Sequence, residues 1–127
     1  MFVGEELLRA KKELNTMREA SYYNALNGEN TFEVNTDKEV IISGGASRLA
    51  SLQDAYNAMF VDAVSETATV KQADGSLITC TQSEWDVLMK LMRAKGKESF
   101  IKNETLIAQI EAVTDAMTFA EIWSLIW

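Results

Sequence analysis

The sequence predicts an α+β fold with a long N-terminal helix, two short antiparallel β-hairpins and three or four helices packed on one face. Three observations predict it: an unbroken run of helix formers from Glu5 to Asn27, two pairs of β-prone segments joined by turn residues, and two Thr-x-x-Glu capping boxes opening apolar segments. A chain of 127 residues falls within the usual size of one domain, and an apolar share of 47% with three Trp, five Phe and three Tyr supplies a core. Pro, which collects in rigid turns and linkers, is absent, so no interdomain linker is read. The organisation expected is an N-terminal helical anchor over residues 1–28 and a single α+β domain over residues 29–127.

The first helix should run from Glu5 to Asn27 and end at Gly28. Val3, Leu7, Ala10, Leu14 and Met17 recur at alternating spacings of four and three, the period of a coiled-coil seam, and the stripe turns polar at Ser21 and Asn24. Two readings stand: a short bundle shared with partner chains, or an amphipathic helix packed on its own domain. Tyr22, Tyr23 and Leu26 put bulk on other faces of the helix.

Thr31–Val34 and Glu39–Ile42 read as a hairpin around a four-residue turn, Asn35-Thr36-Asp37-Lys38. Gly44-Gly45 breaks the chain before a second helix with Ser47 as its candidate N-cap and Leu49, Leu52, Tyr56, Met59, Phe60 and Ala63 as its core face. Thr67–Ala73 and Ser76–Cys80, joined by Asp74-Gly75, form the clearest hairpin signal. The capping box Thr81-Gln82-Ser83-Glu84 then opens a helix with Trp85, Leu88, Met89 and Met92 facing inward. Beyond Gly96 the stripe continues through Phe100, Leu106, Ile107, Ile110 and Val113, compatible with one kinked helix or two. Thr118-Phe119-Ala120-Glu121 opens the last segment, whose Ile122, Trp123, Ile126 and Trp127 must dock, either on their own core or on a neighbouring subunit.

Several function classes are disfavoured by composition. A net charge of −7, with fifteen acids against eight bases over residues 29–127, argues against a phosphate-binding surface, so no nucleic-acid partner is expected; an acidic mimic of nucleic acid is the alternative use of such a body. No apolar run approaches the roughly 20 residues that span a bilayer, and no signal-peptide pattern opens the chain, so no membrane partner and synthesis in the cytoplasm are expected. The chain contains no His, which removes the common catalytic triads and the commonest metal ligand. Cys80 is the only cysteine and has no basic neighbour in sequence to lower its pKa, so it reads as a small buried filler. Glu84, Asp86, Asp62 and Glu66 are expected on solvated faces, and Met59, Met89, Met92 and Met117 as adaptable core fillers. The expectation is a protein that is no enzyme, holds no cofactor or metal, and has as its candidate interface Val3, Leu7, Leu14, Met17, Tyr22, Tyr23, Ile122, Trp123 and Trp127.

The order of residues from about Phe32 onward carries a resemblance over some three quarters of the chain. Its parts are Phe32-Glu33-Val34-Asn35, Ser47, Leu52-Gln53-Asp54-Ala55-Tyr56, Ala73-Asp74-Gly75-Ser76, Thr81-Gln82-Ser83-Glu84-Trp85, and Leu106 with Ile110-Glu111-Ala112 and Thr114. In this order they resemble a domain of unknown function found in tailed-bacteriophage tail-fibre and baseplate-associated proteins. The resemblance implies a structural role in the virion tail, with host cytoplasm before assembly, and partners among other phage tail proteins in a homo-oligomer or symmetric assembly. It supplies no catalytic residue. Alternatives are a tail or tail-fibre assembly chaperone and an acidic phage-encoded inhibitor of a host protein.

Overall fold

A computed structural model describes residues 4–127. The architecture is α+β, with a long N-terminal helix, two separate antiparallel two-stranded sheets and further helices, as the residue pattern predicts. In order these are α1 (Gly4–Asn27), β1 (Asn30–Asn35), β2 (Lys38–Ile42), α2 (Ala46–Tyr56) continued by a π-helix (Asn57–Asp62), β3 (Thr67–Lys71), β4 (Leu77–Thr81), α3 (Gln82–Glu111) and α4 (Phe119–Trp123). Contacts divide the chain into two compact units: residues up to Asn24 together with Glu98–Trp127, and Ala25–Lys97.

The core of the Ala25–Lys97 unit is built around Trp85, 1% exposed, whose indole N–H donates to the Ala68 carbonyl at 3.1 Å and whose ring meets Phe60 edge-on. Val34, Val40, Ile42, Leu52, Val70 and Leu88 complete it. The first hairpin is tighter than expected: Asn35 pairs with Lys38, leaving a two-residue loop, and Val34 is the extra residue of a bulge that keeps its side chain buried. In the second, Asp74 Oδ1 accepts from the amide and hydroxyl of Ser76, an Asx turn that presets the reversal. Gly75 there has φ +87, a conformation that a Cβ disfavours. The hairpins meet where Ile41 N–H donates to Gln72 Oε1 and Ala73 N–H to the Ile41 carbonyl.

Three expectations for this unit are corrected. Helix α2 begins at Ala46 with Gly45 at its N-cap, so Ser47 lies inside the helix and makes no cap. The widening at Asn57 shifts the phase of the apolar stripe: Leu52 and Phe60 remain buried, whereas Met59 is 40% exposed and Ala63 is exposed. Glu84, expected in solvent, is 5% exposed, because the capping box turns it inward.

In the other unit, α1 packs Ala10 and Leu14 against Leu106, Ile110, Val113 and Ile122. Helix α3 passes through Gly96 without a break, which settles residues 82–111 as one helix. The inward phase of Leu88 and Met92 therefore carries on to Ser99 and Asn103, both buried, and Phe100 lands outside at 53% exposure. Asn103 is held by Arg18, whose guanidinium donates to its Oδ1 at 2.5 Å. Lys11 Nζ donates to the Glu111 carbonyl at 3.0 Å, a cation on the negative end of α3.

Candidate functional site

The residues expected to hold partner chains are, for the most part, brought together by folding. Leu14 and Ile122 are fully buried in one cluster, with Leu7, Trp123 and Trp127 half-buried against it. Trp127 contacts two further groups: the Tyr22 ring, stacked at 6.0 Å, and Lys102, whose Nζ is 4.8 Å from the Trp127 ring centroid. The apolar stripe of α1 and the aromatic C-terminal segment thus cover each other within one unit, the packed-helix and own-core readings of those segments. Met17 and Tyr23, 47% and 66% exposed, stay on the outside. Val3 lies outside the described residues.

What this packing leaves open is the outer face of α3. Ala94, Ile101 and Ala108 recur every seven residues there, all exposed, with Phe100 beside Ile101. Between them, in the same period, stand Lys90 and Lys97, then Glu104 and Glu111, all exposed. One half of the stripe is basic and the other acidic. Sequence reading missed this face because Phe100 passed for an inward residue; the signal available was the seven-residue recurrence of alanines around Ile101.

A cleft of about 300 Å³ opens within the Ala25–Lys97 unit. Its walls are Leu26, Phe32, Ile42, Leu49 and Met92. Gly44, Gly45 and Ala46 bring the start of α2 to one side of it, and Arg93, Lys95 and Lys97 line another. The wall at Gly45 is set by a close approach: a Cβ there would lie 2.4 Å from the Leu26 carbonyl oxygen, which only glycine avoids. Gly44 N–H donates to the Asn27 carbonyl at 3.1 Å, and Asn30 Nδ2 donates to the Ala25 and Gly28 carbonyls, tying the last turn of α1 to the loop.

A further polar cluster joins Lys38 with Glu84. Lys38 Nζ lies 2.9 Å from Glu84 Oε1 and 2.9 Å from the Thr79 carbonyl, and the same carboxylate accepts from Thr81 N–H at 2.9 Å. The Thr81 amide, with the Lys38 ammonium adding to it, holds the Glu84 carboxyl below its ordinary range against the opposing effect of burial. These bonds join the first hairpin to the start of α3. Burial pushes the Cys80 thiol up, away from the thiolate needed of a nucleophile. Among the described residues there is no group of three or more His, Cys, Asp or Glu that could hold a metal ion, and no helix is long and apolar enough to cross a membrane.

Comparison with protein-family models, with curated proteins and with solved structures yields no match to this chain.

Proposed function

We propose that this protein is a non-enzymatic structural component that acts by protein–protein assembly, pairing first with a second copy of itself, and that its assembly is a tailed-phage tail, as a tail-fibre or baseplate adaptor or small fibre protein. The observation that carries the assembly reading is the outer face of α3. Two copies of this helix, laid antiparallel about a two-fold axis at Ile101, set Lys97 of each against Glu104 of the other and Lys90 against Glu111. Ala94 then faces Ala108, small side chains that allow close approach, and the exposed Phe100 and Ile101 meet their counterparts at the axis. A face complementary to itself under a two-fold is what an isologous interface requires. At 30 residues, about 45 Å, the helix is long enough to carry such a contact.

The tail assignment is supported by the ordered residues from Phe32 to Thr114 alone. Mass spectrometry of purified particles tests it: the chain is expected at a fixed ratio to neighbouring tail proteins. Its absence from particles in which those proteins are found would reject the structural role, and abundance in the infected-cell lysate would then favour an assembly chaperone. Strongly salt-dependent binding to a basic host protein, with no place in particles, would favour the acidic inhibitor.

A further inference from the structure

The geometry points to the cleft of the Ala25–Lys97 unit as a binding site for a small anionic amphiphile, a molecule with an apolar body and a single carboxylate head. Its shape and its charge lead to the same ligand class. The void is about 300 Å³, at the lower end of small-molecule sites, and its walls are the side chains of Leu26, Phe32, Ile42, Leu49 and Met92. An apolar body entering it removes hydrocarbon from water on both sides of the contact.

The charge is the more selective observation. The chain as a whole carries nineteen acids against twelve bases, yet the cleft lining contains Arg93, Lys95 and Lys97 and no acid. Among the described residues Lys95, which lies off the pairing face of α3, makes no ion pair, so its ammonium group is available to a ligand. Arg93 is steadied by one bond from its guanidinium to Gln53 Oε1, 3.1 Å, which leaves its other N–H groups to donate. The first turn of α2, where no side chain caps the backbone N–H groups, also lines the cleft, at Ala46, and adds positive potential to it. A neutral ligand would use only the walls, and a cationic one would be repelled.

Gly96 gives the site its opening. It lies inside α3, lines the cleft, and has no atom within 4 Å of where a Cβ would stand. A glycine inside a helix costs about 1 kcal/mol relative to alanine, and local packing here does not demand it. Open access to the walls is the use that fits.

The test is titration of the full chain with decanoate, decanol and decyltrimethylammonium below their micelle concentrations, followed by amide and methyl NMR shifts. Saturable decanoate binding that moves Leu49 and Met92 resonances is expected, at least about tenfold tighter than decanol, with no binding of the cation. Lys95→Glu should remove the preference for decanoate over decanol, Lys95→Arg should keep it, and decanol affinity should stay level in both. Gly96→Leu should weaken decanoate and decanol together. Equal affinity for decanoate and decanol in the native chain, shifts elsewhere than the cleft, or decanoate binding indifferent to Lys95→Glu would overturn the proposal. Lys95 lies off the Lys90–Ala94–Lys97–Ile101 face, so the result is independent of whether two copies pair.

Discussion

The ring of Tyr22 stacks on that of Trp127, centroids 6.0 Å apart and planes 29° from parallel, joining α1 to the C-terminal segment. Neither ring is then wholly free for a partner chain. Aromatic pairs of this kind contribute about 0.5–1.5 kcal/mol beyond the area they bury. A double-mutant cycle of Tyr22→Leu and Trp127→Leu in urea should give a coupling energy in that range. Additive effects of the two changes would mean that the rings do not meet in solution.

Glu84 makes the stability of the Ala25–Lys97 unit depend on acid. Its folded carboxyl lies below the ordinary value of 4.5, so it contributes stability that is complete above that value and is lost as pH falls through it toward the lower folded pKa. Glu84→Gln should cost about 1–3 kcal/mol at neutral pH, through loss of the Lys38 pair and half of the capping box, and should flatten the decline below 4.5. What acid dependence remains includes Asp74, lowered by the hydroxyl and then the amide of Ser76. Thermal melts of both proteins across the acid range measure this.

Two glycines should respond to alanine with opposite sign. At Gly45 the added carbon meets the Leu26 carbonyl, and Gly45→Ala should lose about 1–3 kcal/mol. At Gly96 it meets nothing, and Gly96→Ala should gain about 1 kcal/mol by helix propensity. Chemical denaturation of the two variants beside the native chain decides both signs.

Val64 sits at φ +51 just after the π-helix, 78% exposed. A β-branched residue in the left-handed region costs about 1–2 kcal/mol, and no burial offsets it here. Val64→Asn, which tolerates that conformation, should raise stability by about 1 kcal/mol; a loss on calorimetry would show that the valine makes a contact which outweighs the strain.

Elements with local signals were legible in the sequence, and phase over distance was not. Asp74-Gly75, Thr81 with Glu84, and Thr118, whose hydroxyl accepts from Glu121 N–H at 3.2 Å, act through bonds within a few residues, so their patterns identify them directly. Ser47 lost the capping position because the loop's tight approach at Gly45 starts α2 earlier. Phe100 lands outside because the inward face of α3 passes through Ser99 and Asn103, small polar residues that are both buried, Asn103 with Arg18, 85 positions away in sequence, as its donor. The candidate interface was legible as a set of apolar residues but not as mutually covering ones, since periodicity marks a face without saying what it meets. The cleft had no sequence signature: its walls come from α1, both strands of the first hairpin, α2 and α3.

The most direct measurement is sedimentation of the native chain, Lys97→Glu, and the double exchange Lys97→Glu with Glu104→Lys. Antiparallel pairing through α3 predicts a dimer for the native chain, dissociation when Lys97→Glu sets two acids against each other at both ends of the axis, and a restored dimer when the charges are exchanged. A native chain that sediments as a monomer, or three proteins of one and the same assembly state, would contradict pairing through this face.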